Sequence, residues 1–237
     1  MAEMLTVSDM HTYYGDSYVI QGVSLSVLRG RITVLMGRNG AGKTTVIRSI
    51  AGLTPPRRGS ILFGGEELTH LPAHEIARRG LGLVPQGRRI FASLSVAEHL
   101  AIAASRRRAA TWTIERIFTI FPRLKERANQ RAAHLSGGEQ SMLAIARALR
   151  TEPKCLLMDE PTEGLAPLFS DIVLDVIRDL RSAGELGILI VVQELPIALA
   201  IADHICVLDK GRIVFDGTPQ ELTDRPDIQA RYIGVGV

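Results

Sequence analysis

Aromatic residues are scarce in this chain: Phe, Trp and Tyr make up 5% of its 237 residues, with a single tryptophan. A surface that stacks unpaired bases needs several aromatics interleaved with cations, and that pattern is missing. Cysteine is scarcer still. Cys155 and Cys206 both sit in apolar, strand-like runs, where a free thiol behaves as a small hydrophobe, so both read as core residues of a reducing compartment. Long apolar runs are absent too. The most apolar stretch, 186–202, is broken by Gln193, Glu194 and Pro196 and falls short of the ~20 residues of a membrane span, so any membrane contact is expected to pass through a partner. The acidic, alternating start lacks the basic-then-apolar order of a secretion signal, and predicts a chain that is not exported. No strong charge of one sign stands out: the formal net charge is +3, and Arg57-Arg58, Arg78-Arg79, Arg88-Arg89 and the run Arg106-Arg107-Arg108 are scattered. No nucleic-acid partner is expected. Most of these arginines read as solvated loops and helix ends.

With 46% hydrophobic residues, the length suits one domain or a core with an inserted lobe. Leu5-Thr6-Val7-Ser8 and Val23-Ser24-Leu25-Ser26-Val27 alternate at period two, as half-buried antiparallel strands do. Ile32–Met36 is continuously apolar, and 43–51 continues as a helix closed by Gly52. From Gln86 the texture becomes helical: Ser95-Val96-Ala97-Glu98 is a capping box, and a second helix is expected from about 113 to 122. Three further apolar strands, 155–158, 188–192 and 205–208, alternate with helices, which predicts a parallel sheet. Asp209-Lys210-Gly211-Arg212 reads as a tight hairpin, and Thr218-Pro219-Gln220-Glu221 as a capping box with proline at the first helical position.

The chemistry lies in three segments. Gly37-Arg38-Asn39-Gly40-Ala41-Gly42-Lys43-Thr44 fits the G-x-x-x-x-G-K-[ST] phosphate loop and is followed by Thr45. Small residues let successive N–H groups turn inward around phosphates, Lys43 reaches the β and γ oxygens, and Thr44 offers its hydroxyl to Mg²⁺. About a hundred residues later come Leu135-Ser136-Gly137-Gly138-Glu139-Gln140, then an apolar run ending in Asp159-Glu160. Together they predict a protein that binds and hydrolyses ATP.

On these motifs, the chain resembles the ATP-binding subunit of an ABC transporter over essentially its whole length. The wording is closest to the ATPases of branched-chain (hydrophobic) amino-acid importers. His11-Thr12-Tyr13-Tyr14-Gly15, Val84-Pro85-Gln86-Gly87-Arg88-Arg89-Ile90-Phe91 and Asp159-Glu160-Pro161-Thr162-Glu163-Gly164-Leu165-Ala166-Pro167 carry that narrower match. The resemblance implies a P-loop NTPase (RecA-like) α/β core, 1–85 and 151–237, with an N-terminal antiparallel β layer and an inserted helical subdomain, 86–150.

It also implies roles for residues. Asp159 holds Mg²⁺ through water, Glu160 is the catalytic carboxylate that orients the attacking water, and the Gln86 amide ligates Mg²⁺ while the loop beyond it touches the membrane partner. Tyr14 stacks on adenine; alternatively, Tyr13 or Tyr14 packs on the β layer. Ser136, Gly137 and Gly138 open a helix whose N–H groups form an anion site facing the γ-phosphate of the opposite subunit, so two chains sandwich ATP head to tail. The implied partners are a second ABC ATPase, identical or not, transmembrane permease subunits and, indirectly, a solute-binding protein. The implied location is the cytoplasmic face of the cell membrane, reached through the permease.

The sequence departs from the family pattern at three places. Glu139 replaces the glutamine of L-S-G-G-Q. Glu163-Gly164-Leu165-Ala166 replaces S-A-L-D, removing an aspartate. Gln193 occupies the position of the switch histidine, where an amide still hydrogen-bonds a phosphate but carries no proton charge. An importer of urea or an amide is the nearest alternative. A soluble ABC protein usually has coiled coils or two fused cassettes, which this length does not hold, and a non-hydrolysing regulatory subunit has only Gln193 in its favour.

Overall fold

The computed structural model describes residues 3–104 and 110–234; the run Arg106-Arg107-Arg108 lies outside them. The larger of two sheets contains β3 (Ile32–Met36), β6 (Leu81–Val84), β7 (Cys155–Asp159), β8 (Gly187–Val191), β9 (His204–Asp209) and β10 (Arg212–Gly217). Their order is β10-β9-β3-β8-β7-β6. All pairings are parallel except that of the edge strand β10. Strands β3, β7 and β8 are buried at every position, which is why they read as continuous apolar runs. Successive residues serve opposite faces. Ile32, Val34, Met36, Leu156, Met158, Ile188 and Ile190 join one cluster, and Leu35, Cys155, Leu157, Leu189, Val191 and Cys206 join the other. Both cysteines are fully buried and free, and burial pushes the Cys155 thiol up to about 12.

The second sheet, β2-β1-β4-β5, is antiparallel: β1 (Glu3–Tyr14), β2 (Ser17–Leu28), β4 (Arg58–Phe63) and β5 (Glu66–Glu67). Period-two runs announce β1 and β2. Strand β4 escapes that reading because Arg58, Gly59 and Ser60 leave it only half apolar. Helix α1 (Lys43–Ile50) buries Val46, Ile47 and Ile50 in the cluster this sheet shares with the larger one.

After α2 (Ala73–Arg79) and β6 come α3 (Val96–Ile102), α4 (Ile114–Ile120), α5 (Pro122–Glu126) and α6 (Gly137–Leu149). Ser95 and Glu98 cap α3 reciprocally. The helix expected over 113–122 is instead interrupted. Phe121 leaves the helical region (φ −119°, ψ 72°) and Pro122 opens α5. A proline disfavours helical backbone at the residue before it, yet suits the first turn, where its missing N–H costs nothing. Among the described residues these helices have no separate core: Leu100, Trp112, Phe121 and Leu143 belong to the same cluster as Val34 and Ile190.

After β7 come α7 (Pro167–Ser182), α8 (Leu195–Ile201) and α9 (Pro219–Thr223), the last with its reciprocal Thr218–Glu221 cap, and then a short helix, Pro226–Ile228, and a wider turn, Gln229–Ile233. Lys210 and Gly211, at φ 45° and 78°, turn β9 into β10 as a type I′ hairpin requires. The Asp203 carboxylate accepts from Arg31 Nη1 (2.6 Å), the Ile32 N–H (2.9 Å) and Arg181 Nε (2.8 Å), joining the start of β3 to the end of α7.

Candidate active site

Four neighbouring strands, β3, β8, β7 and β6, end on the same side of the sheet, because parallel strands deliver their C-terminal ends together. Immediately beyond them stand Gly37–Thr44 after β3, Gln193 after β8, Asp159 and Glu160 at the end of β7, and Gln86 after β6. A cleft of about 260 Å³ is lined by Asn39, Gly40, Gly42, Lys43, Thr44 and Thr45, with Val19, Gln86 and Glu160 around it. Gly37, at φ 146°, is fixed by crowding: a Cβ there would lie 2.1 Å from the Leu208 carbonyl oxygen. Gly42 caps α1 at φ 110°. The first-turn N–H groups of α1 thus face a glycine-lined concavity suited to an anion.

Lys43 is 5% exposed. Its Nζ donates to the carbonyl oxygens of Gly37 (2.9 Å) and Arg38 (3.2 Å) and lies 3.7 Å from Glu160 Oε1. The Thr44 hydroxyl donates to Asp159 Oδ1 at 3.3 Å. Burial pushes the Asp159 carboxyl up, and the charges of Glu160 and Glu163 act the same way against the Thr44 hydrogen bond and Lys43. A hydroxyl and clustered carboxylates beside one ammonium form a hard-oxygen donor set, the kind Mg²⁺ takes.

Glu160, at φ 51°, sits in the left-handed region that costs a non-glycine residue energy. Two amides converge on its Oε2: Gln193 Nε2 at 2.7 Å and Gln86 Nε2 at 3.3 Å. Gln86 also donates to Glu163 Oε2 at 3.0 Å. The sequence reading aims Gln193 at a phosphate; here its partner is Glu160.

Tyr14 is 44% exposed on the rim, at the end of β1. Partial burial raises its phenol pKa, but hydrogen bonding with Thr54, Thr45 and Arg48 more than reverses this, and the net direction is down. Tyr13 instead stacks on Tyr18 (centroids 4.4 Å apart) beneath Arg57. Of the two tyrosines, therefore, Tyr13 is the one that packs on the β layer.

Ser136, Gly137 and Gly138 lie apart from this cleft, at the start of α6. A Cβ on Gly138 would meet the Phe169 ring at 2.4 Å, and one on Gly137 would approach Arg88 Nη2 at 3.3 Å. The resemblance makes the N–H groups of this helix end an anion site, yet two of them already have side-chain partners. Ser136 Oγ accepts from the Glu139 N–H (3.3 Å) while Glu139 Oε2 accepts from the Ser136 N–H (2.8 Å), so this capping box uses the Ser136 and Glu139 donors and not those of Gly137 and Gly138. Glutamate at this position thus has a structural reason. Sequence reasoning also missed Arg147 and His99, which brace the loop after Gln86; an arginine inside a helix and a lone histidine carry no pattern of their own.

A family model described as ABC transporter matches residues 20–163. The high-affinity branched-chain amino acid transport ATP-binding protein BraG of Pseudomonas aeruginosa is 41% identical, over 98% of this chain and all of that one. The lipopolysaccharide export system ATP-binding protein LptB of Acidithiobacillus ferridurans is 35% identical, over 99% of this chain and 98% of its own. Among solved structures, the ADP conformation of an ATP-binding cassette of an ABC transporter superposes over the full length of both chains, with a TM-score of 0.85 and 27% identity. With the phosphate loop, the acidic pair and the capped Ser136 helix arranged as described, the chain belongs to the ABC transporter family and is one of its ATP-binding, ATP-hydrolysing subunits.

Proposed function

We propose that this subunit drives the import of branched-chain or other hydrophobic amino acids through a membrane permease, by closing and reopening around Mg-ATP as a head-to-tail pair. In this reading the N–H groups of Gly37–Thr44 and the Lys43 ammonium hold the phosphates. Thr44, Asp159 and Gln86 would hold Mg²⁺, which would supply neutralisation of phosphate charge. Glu160 accepts a hydrogen bond from the attacking water, and Gln193 fixes the rotamer of Glu160 as much as it meets the phosphate. Tyr14 stacks on the base.

The observation that carries the proposal is the separation of the two halves of the site. Three clefts that share lining residues are bordered between them by the phosphate loop, Gln86 and Glu160, one of them also by Asp159 and another by Gln193, whereas Ser136–Gly138 turns toward Phe169 and Arg88. A second chain, identical or not, brings its own Ser136 helix to the γ-phosphate. No described helix is long and apolar enough to cross a membrane. In this reading the permease is met by the surface around Phe91, which is 53% exposed. BraG, at 41% identity, supports the amino-acid cargo over the lipopolysaccharide of the 35% relative.

Two variants and one uptake assay test this. Glu160→Gln is expected to keep ATP affinity, lower turnover by about 100-fold or more and accumulate an ATP-bound pair, whereas Lys43→Ala weakens ATP binding itself by about 10-fold or more. Undiminished turnover in Glu160→Gln removes that residue from its role. With the permease reconstituted in vesicles, labelled leucine is expected to enter on ATP addition. Uptake of urea or an amide instead, or of no solute, rejects the cargo assignment and leaves the ATPase intact.

A further inference from the structure

Gly87, Arg88 and Arg89 follow one another at φ 73°, 63° and 46°. Two successive non-glycine residues in the left-handed region persist only where their surroundings hold them. Helix α6 does so. Arg147, half-buried on that helix, donates through Nη1 to the Arg89 carbonyl oxygen (2.8 Å) and through Nη2 to that of Arg88 (3.2 Å). Arg88 answers in the opposite direction. Its Nε donates to Ser141 Oγ (3.1 Å) and its Nη1 to Gln140 Oε1 (3.3 Å), both in α6, while Nη2 reaches the Glu163 carbonyl oxygen (3.4 Å) in the loop after β7.

The bracing extends outward. The Arg147 guanidinium lies 5.8 Å from the centroid of the Phe91 ring, and the Phe91 N–H donates to His99 Nε2 (2.9 Å). That bond leaves Nδ1 of His99 to carry the proton it gives to the Ser95 carbonyl oxygen (2.8 Å). Loop 86–91 is therefore tied to α6 in both directions and meets the site through Gln86, which bonds Glu160 and Glu163, and through the Arg88 bond to the Glu163 carbonyl oxygen.

We propose that Arg88 and Arg147 are positioning residues for ATP hydrolysis: a reciprocal clasp that makes loop 86–91 and helix α6 one body, so that a displacement of Gln86 in the site is delivered to the Ser136–Gly138 end of α6. Neither side chain needs to touch ATP. The proposal rests on the assignment of Gln86 and the Ser136 helix to two halves of one site. It adds the mechanical link between them and names the groups that make it.

The test uses the full chain in two arms. In the first, without nucleotide, amide hydrogen exchange is followed over 86–91 and 136–141. Arg147→Ala is expected to speed exchange in 86–91 by about 10-fold or more, and Arg147→Lys, which keeps the charge but not the two-pronged fork, by less. In the second arm, Mg-ATP hydrolysis is measured for Arg88→Ala, Arg88→Gly, Arg147→Ala and the double alanine variant. Each single change is expected to lower kcat by about 10-fold with KM for ATP within about 2-fold, and the double to fall little further, because both break the same link.

Arg88→Gly separates backbone from side chain: it relieves the left-handed strain and keeps the carbonyl oxygens that Arg147 holds, yet removes the side-chain bonds to Ser141 and Gln140, so its kcat should fall as far as that of Arg88→Ala. Unchanged exchange and kcat in Arg147→Ala, or multiplicative losses in the double variant, overturn the clasp. If Arg147→Ala does not fold, Arg147→Lys decides in its place. Gln86→Ala guards the underlying assignment: normal hydrolysis in that variant rejects the role of Gln86, while the exchange arm, which needs no nucleotide, still judges the clasp.

Discussion

The phosphate loop and the loop after Gln86 border the same cleft and are held by opposite means. Gly37–Thr44 is shaped by its own backbone: glycines occupy the conformations that need them, a fully buried strand feeds it, and the Leu208 carbonyl oxygen leaves no room for a side chain at Gly37. Residues 87–91 have one glycine, two left-handed arginines and a set of borrowed hydrogen bonds from Arg147 and His99. A loop determined by its own residues is rigid and insensitive to its neighbours. One held by side chains from another element follows that element when it moves.

The sharpest way to break this contrast is at Gly37. Gly37→Ala adds a Cβ that the Leu208 carbonyl oxygen cannot yield to, and is expected to cost ~3 kcal/mol or more of stability and to abolish ATP binding, read by denaturant unfolding and nucleotide titration. Retained binding would mean that the loop adapts after all.

Asp203 comes next, beneath the other end of β3. Burial raises its carboxyl pKa, but the hydrogen bonds from Arg181, the Ile32 N–H and Arg31 outweigh this and hold it at about 2, against an ordinary 3.8. A depressed folded pKa stabilises above the unfolded value and loses its effect as pH falls through the folded one. Asp203→Asn is thus expected to lose roughly 2 kcal/mol at neutral pH and to converge on the parent between about pH 4 and pH 2. Thermal midpoints across that range check it, and a pH-independent gap would show that shape rather than charge matters there.

Gln193→Ala is expected to lower kcat by about 10-fold, with KM little changed, because it removes the shorter of the two amide bonds to Glu160. Gln193→His should keep activity and add a pH dependence between roughly 6 and 7. ATPase assays of both variants over that range sharpen the comparison, since they test a side-chain brace inside the backbone-held half.

The smallest effect is assigned to Ser95→Ala. It removes the cap of α3, worth about 1 kcal/mol, but leaves the Ser95 carbonyl oxygen on which His99 rests. Stability should drop while hydrogen exchange over 87–91 stays unchanged. A change in that loop would extend the clasp to the cap.

The same division explains what could be read from the residues alone. The phosphate loop, the apolar strands, the acidic pair after β7 and the capping boxes announce themselves, because their physics is local: glycine at forced φ, continuous burial, a serine three residues before a glutamate. Strand β4 was hidden by its half-polar face. The break at Phe121 is written in Pro122, which disfavours helical backbone at the residue before it. The Arg88–Arg147 clasp was illegible for a firmer reason, since its partners are 59 residues apart and join through carbonyl oxygens that every residue possesses. Gln193 shows the intermediate case: its position could be located, but its bond to Glu160 depends on how β8 and β7 align.

Trp112 is the only tryptophan in the chain, 3% exposed, with the Arg116 guanidinium 4.1 Å from its ring centroid and its backbone N–H held by Glu152. The phosphate loop and the acidic pair contain no aromatic residue. Red-edge excitation of the unmodified protein therefore illuminates the helical segment alone, and any change in emission wavelength or quenching on adding nucleotide is an optical gauge of motion there, obtained without attaching a dye.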